Sequence, residues 1–145
     1  MDAQLLNHIA ISCVMMAATA FIHALFVASS AAVFRTYMRR PHRTLRFIRD
    51  VIALVLLSVW LVAAHLIEIG VWATLFLSLD QFSEVELALY FTAAAYTTLG
   101  FGDVLLSEEW RLLSGACAAS GLLMFGLSAA FLFEATGKLD LSGDD

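Results

Sequence analysis

The chain has 145 residues, 61% of them hydrophobic and only 14% charged, with a mean hydropathy of +0.86 and a formal net charge of -5. A water-soluble domain of this length cannot hide so much apolar surface, which excludes an ordinary soluble enzyme and points to a lipid bilayer as solvent. One proline and eight glycines exclude collagen-like and low-complexity chains, and two isolated cysteines without CxxC or paired Cys/His spacing exclude a disulfide framework or a cysteine metal site.

The first element is an uncharged run from Ile9 to Phe34, interrupted only by His23 and a few hydroxyls. At a rise of about 1.5 Å per residue it is long enough to cross a hydrocarbon core of about 30 Å. No Lys or Arg precedes Arg35, so the basic start of a signal peptide is lacking, and residues 1–34 are read as a retained N-terminal transmembrane helix. Cys13 here, like Cys117 later, reads as a small buried hydrophobe. His8 and His42 read as ordinary surface histidines.

Residues 35–50 follow as a basic loop. Arg35, Arg39, Arg40, Arg43, Arg46 and Arg49 are six of the eight Lys/Arg residues in the chain. The excess of positive charge in a short loop places it in the cytoplasm, so the N-terminus is expected outside. Topology and contact with anionic headgroups account for the patch, and no nucleic-acid partner is expected. The expected location is a cell membrane of the bacterial inner-membrane kind, crossed several times.

A second run, Val51 to Leu79, is broken by His65 and Glu68, and a third, Leu112 to Phe133, is uncharged. Between them Glu84 to Thr97 is too short to span. Ser83-Glu84-Val85-Glu86 matches the S-x-x-E capping box and marks the start of this half-length helix at the outer face. With the basic loop inside, everything from Asp80 to Arg111 enters from outside and the tail 138–145 returns to the cytoplasm.

After the short helix comes Thr97-Thr98-Leu99-Gly100-Phe101-Gly102-Asp103. Backbone that is neither helix nor closed barrel cannot face lipid, because each unpaired peptide group there costs several kcal/mol. It survives at membrane depth only where protein buries it or water and ions satisfy it. The pattern is that of a half-span helix leading in and an extended strand leading out. The C-terminal end of the helix points inward, and its partial negative charge favours a cation.

This motif resembles the selectivity filter of the potassium channel family, TT-x-G-[YF]-G-D. The resemblance covers roughly Val51 to Thr136 and implies a pore domain at 51–137, with outer helix 51–79, pore helix 84–97, filter 98–102 and inner helix 111–136. The first span is extra to the two-helix design. It further implies that K+, the permeant ion, is held by the backbone oxygens of Thr98, Leu99, Gly100 and Phe101, with Gly100 and Gly102 permitting the unusual dihedrals and the Thr98 hydroxyl closing the cavity end. Leu99 departs from the family's valine or isoleucine. Tyr90 and Phe91 occupy the places of the aromatic pair that braces the filter, with Thr97 and Asp103 flanking it and Trp110 at the outer interface. Ala94 stands where some members carry a buried glutamate.

On the third span Gly121 and Gly126 match the inner-helix glycines of simple bacterial members, as a hinge or as points of close packing. The same register turns Leu122, Phe125, Ala129 and Phe133 to a water-filled cavity that an apolar ring would close. An axial carbonyl cage needs four filter strands, so a homotetramer is implied. Asp80, Glu84, Glu86, Asp103, Glu108 and Glu109, against Arg111 alone, would concentrate cations at the mouth.

His65 and Glu68 lie three apart on one helical face. A carboxylate at membrane depth rarely faces lipid. One reading is a structural pair turned to the short helix and bonded to Tyr90 or Tyr96, with Glu68 replacing the carboxylate missing at Ala94. The other is a pH or divalent-metal sensor, with His23 as a further ligand. The expectation is therefore an all-α, three-span, homotetrameric potassium channel, not an enzyme, without a cofactor or a soluble ligand domain. The alternatives are a proton- or divalent-cation-coupled carrier or a less selective cation channel working through His65 and Glu68, and a non-conducting scaffold.

Overall fold

The computed structural model describes residues 3–38 and 46–139. They form four α-helices, α1 (Ala3–Met38), α2 (Arg46–Ser78), α3 (Val85–Tyr96) and α4 (Leu112–Thr136), with no strand among the described residues. α1, α2 and α4 are each long and apolar enough to cross a membrane. α3 has 12 residues, about 18 Å at the helical rise, and reaches little more than halfway. The composition and the run lengths predicted this all-α membrane protein.

The helix ends differ from expectation in instructive ways. α1 starts at Ala3, because Leu5 and Leu6 continue the apolar run before Ile9. α2 starts at Arg46 rather than Val51, so helix extends into the basic segment from both sides. Residues 39–45, with Arg39, Arg40, Arg43 and His42, lie outside the described residues, as does the tail from 140. The expected cytoplasmic loop thus falls mostly beyond them. Arg49 pairs with the neighbouring Asp50 at 3.0 Å.

α2 ends in a Schellman turn. The Gln81 amide donates to the Phe76 carbonyl and the Asp80 amide to the Leu77 carbonyl, with Asp80 at φ 53. Asp tolerates the left-handed region better than most side chains, so it serves where glycine is usual. The turn drops Phe82 into the core and sends the chain back as α3.

At the start of α3 the predicted capping box does not form. Glu84, not Ser83, is the N-cap, in extended backbone at φ -120 and ψ 136, with no side-chain cap bond. The Glu84 carbonyl instead accepts from the Ala88 amide at 3.1 Å. An exposed start leaves the first amides to water, so the S-x-x-E pattern has no orphan donors it must satisfy.

One core joins α2, α3 and α4 through Trp72, Phe76, Phe91, Tyr96, Leu113 and Met124, with Ile11, Met15, Met16 and Ala20 of α1 packed against it. α1 is inside out. His8, Thr19, His23 and Ser30 are buried, whereas Val14, Phe21 and Val33 on its outer side are two-thirds exposed. The buried four follow one another at helical offsets that keep them within about 60° of arc. Thr19 Oγ1 and Ser120 Oγ share a buried hydrogen bond of 2.8 Å that ties α1 to α4. His8, expected at the surface, is 5% exposed and packs 4.7 Å from the Trp110 ring. Cys13 shows the reverse, being exposed on the outer face of α1 while Cys117 is buried.

Candidate functional site

The segment after α3 hangs from the end of that helix. The last carbonyls of any helix lack intrahelical partners, and here the following residues supply them. The Thr97 amide and hydroxyl donate to the Ala93 carbonyl, the Thr98 amide to Ala95, and the Gly100 amide to Ala94 at 3.1 Å. Thr98 stands at φ 61, Gly100 at φ 54 and Gly102 at φ 78, while Leu99 and Phe101 between them do not have positive φ. Every second residue is therefore left-handed.

Two contacts hold the far side of this segment. The Tyr90 hydroxyl donates to Asp103 Oδ2 at 2.7 Å, and the Tyr90 ring stacks along Phe101 at 6.5 Å. That hydrogen bond holds the Asp103 carboxyl below the ordinary carboxylate range and raises the Tyr90 phenol above its own. Further on, Gln81 Oε1 accepts from both the amide and the hydroxyl of Ser107, tying the outgoing chain to the end of α2.

Phe91 does not join Tyr90. It turns the other way, 5.4 Å from Phe76 and 5.2 Å from Phe82, and belongs to the core between α2 and α3. The reason is helical: neighbours in sequence point about 100° apart, so only one of the two can face the segment beyond the helix. Within one chain, Tyr90 is the member of the expected pair that meets this segment.

Behind the end of α3 lies a buried polar cluster to which every helix contributes. His23 Nδ1 of α1 is 3.0 Å from Glu68 Oε1 of α2. Tyr96 of α3 donates its hydroxyl to Glu68 Oε2, and His65 Nδ1 lies 3.3 Å from the same hydroxyl. Ser128 Oγ of α4 closes the ring, 3.0 Å from His65 Nε2 and 3.2 Å from His23 Nε2. Glu68 and His23 are fully buried and His65 nearly so. Of the partners expected for Glu68, Tyr96 is present and Tyr90 is not, because Tyr90 is spent on Asp103. Serine at 128 carried no signal in the sequence, and it shares the buried side of α4 with Leu113, Cys117 and Met124.

α4 presents two sides. Leu113, Cys117, Ser120, Gly121, Met124 and Ser128 are buried against the other helices. Leu122, Ala129 and Phe133 are exposed, and so is Phe125, less fully because it stacks 4.1 Å from His65. Gly121 meets the end of α3: a Cβ there would stand 1.9 Å from the Tyr96 carbonyl oxygen. Gly126 has nothing within 4 Å. Of the two readings for these glycines, close approach describes Gly121 and neither is visible at Gly126.

A sequence family described as ion channel matches residues 52–138, from the first third of α2 to just past the end of α4. No curated protein and no solved structure matches the chain.

Proposed function

The chain belongs to the ion channel family, and on that premise we propose that it is a potassium-selective channel, passing K+ passively through a filter built from four identical copies. Membership points to transport rather than catalysis. The observation that carries the finer reading is the left-handed backbone at Thr98, Gly100 and Gly102, two residues apart each time. Alternating the hand of successive residues turns successive carbonyls to one side. A row of carbonyls on one side is what replaces the water shell of a dehydrated cation.

Further support comes from what one copy leaves undone. Leu99 and Phe101 are 62% and 65% exposed, and a single strand offers only one wall of a cage. Four copies around an axis complete the cage and bring the exposed side of α4, with Leu122, Phe125, Ala129 and Phe133, to a shared cavity. The end of α3 aims its partial negative charge at the same axis. In this reading the basic segment is cytoplasmic, the N-terminus and the filter mouth are outside, and a bacterial inner membrane is the host. No nucleic acid and no cofactor takes part.

Reconstituted vesicles test it. Passive K+ and Rb+ flux that excludes Na+, with a native mass of four copies, is the expected result. A different copy number, equal passage of Na+, or obligatory proton counterflow would overturn it, the last in favour of a coupled carrier.

A further inference from the structure

The buried ring at His23, His65, Glu68, Tyr96 and Ser128 has more order than a structural pair requires. We propose that His23, His65, Glu68 and Tyr96 form a binding site for one divalent transition-metal ion of the zinc class, joining α1 to the base of the filter segment. The inference concerns binding alone and does not rest on which ion passes through the chain's pore.

The donor set comes first. Two imidazoles, a carboxylate and a phenol are nitrogen and oxygen ligands of the type that zinc-like ions take in fourfold coordination. Spacing comes next. Contacts within the set are 3.0 Å for His23 Nδ1 and Glu68 Oε1, 3.3 Å for His65 Nδ1 and the Tyr96 hydroxyl, and 3.5 Å for His65 Nδ1 and Glu68 Oε2, the two carboxylate oxygens facing different histidines. A tetrahedron with metal–ligand bonds of about 2.0–2.1 Å has edges of about 3.3 Å. Donor atoms of His23, His65 and Glu68 already lie within 4.8 Å of one another.

The surroundings are also built for it. Metal-bound imidazoles almost always donate their other N–H to an oxygen, which orients the ring and raises its basicity. Both Nε2 atoms face one oxygen, Ser128 Oγ, at 3.0 and 3.2 Å. A hydroxyl oxygen has two lone pairs and accepts both. That arrangement leaves the two Nδ1 atoms, which face Glu68 and Tyr96, as the ligating nitrogens.

Charge balances as well. A dication with the Glu68 carboxylate and a Tyr96 phenolate is neutral, so no net charge is buried among apolar helices. Without metal the ring has five hydrogen-bonded contacts. Tyr96, Ser128 and two neutral imidazoles bring one proton each, which leaves one contact short. The entering cation removes that shortfall, and the Tyr96 proton leaves to solvent. The most open members of the cluster are Ser128 and His65, 7% and 6% exposed with the His65 ring beneath Phe125, which gives the ion a way in from the exposed side of α4.

The test uses untagged full-length protein in detergent with Co2+ as probe, then Zn2+ as competitor. The expected result is one Co2+ per chain with the intense visible absorption of a tetrahedral site, displaced by Zn2+, and an affinity that rises at least tenfold per pH unit near neutrality. His23→Ala should abolish the absorption and weaken Zn2+ binding at least a hundredfold. Ser128→Ala, which keeps every ligand, should weaken it tenfold or more, and His8→Ala should leave it unchanged. Absence of the tetrahedral signal in the unaltered protein overturns the proposal whether or not any variant folds. So does a signal that persists in His23→Ala, or an affinity indifferent to pH.

Discussion

Gly121 of α4 lies directly against the backbone carbonyl of Tyr96, the last residue of α3, with room for a hydrogen but none for a methyl group: an added Cβ would stand 1.9 Å from that oxygen. The obstacle is main chain, which a side-chain rotation cannot relieve. Gly121→Ala should therefore push α4 off the end of α3 and destabilise the fold by about 1–3 kcal/mol, the usual range for overpacking. Gly126→Ala, with nothing within 4 Å, should be near neutral or slightly stabilising in a helix. Unfolding in mixed micelles checks both. Equal and small effects at the two positions would favour the hinge reading over the packing one.

The Tyr90–Asp103 hydrogen bond carries a pH prediction. The Tyr90 hydroxyl lowers the Asp103 carboxyl, so the folded state favours the carboxylate. A depressed carboxyl contributes stability that is present above its ordinary value, about 3.9, and is lost as pH falls through the lowered folded value. The segment from Thr97 to Asp103 should thus keep its conformation until below the ordinary aspartate range. In Tyr90→Phe the acid midpoint should move up towards that range. The Asp103 carboxyl signal, followed by NMR through an acid titration, reads this directly; a midpoint that does not move would show that the bond does not persist in solution.

Much of this was legible in the residues because membrane physics leaves few options. An uncharged run longer than the hydrocarbon core becomes a helix long enough to span, and the run too short to cross becomes the short helix between two of them. What could not be read is which side of each helix faces protein. α1 shows why: in lipid the polar residues turn inward, so His8, Thr19, His23 and Ser30 mark its buried face. Their shared stripe was present in the sequence but looked like scattered interruptions of an apolar run. The packing of Phe91 on Phe76 and Phe82 was hidden for a similar reason, since alignment to a family pattern places a residue along a helix without saying where its ring points. The capping box at Ser83 failed because an exposed helix start has water for its amides.

Thr19 and Ser120 offer a measure of how firmly α1 is held. Their hydroxyls meet at 2.8 Å in a buried setting between α1 and α4. Hydrogen bonds between membrane helices measured by double-mutant cycles average about 0.6 kcal/mol and reach about 1.7. Thr19→Val, Ser120→Ala and the double variant should give a coupling energy in that interval, read from unfolding in mixed micelles. Each single variant should lose more than the coupling, because it also leaves one hydroxyl without its cross-helix partner, although Thr19 keeps bonds to the Met15 and Met16 carbonyls.

The alternating backbone makes the sharpest demand. Gly100 and Gly102 stand at φ 54 and φ 78, where an L side chain costs about 1–2 kcal/mol. Neither position is crowded within the chain, since an added Cβ meets nothing within 4 Å at either. Alanine at Gly100 or Gly102 should therefore leave the helical fold and its melting almost unchanged while driving the segment out of its left-handed turns. If those turns are what aim the carbonyls, the variants should insert, assemble and melt like the parent yet lose K+ over Na+ discrimination or conduct poorly. Gly70→Ala, equally open but in α2 without positive φ, serves as the control for adding a methyl group. Rb+ and Na+ uptake by vesicles carrying each variant separates the outcomes: discrimination that survives at both Gly100 and Gly102 would mean that the left-handed residues are not what selects the ion.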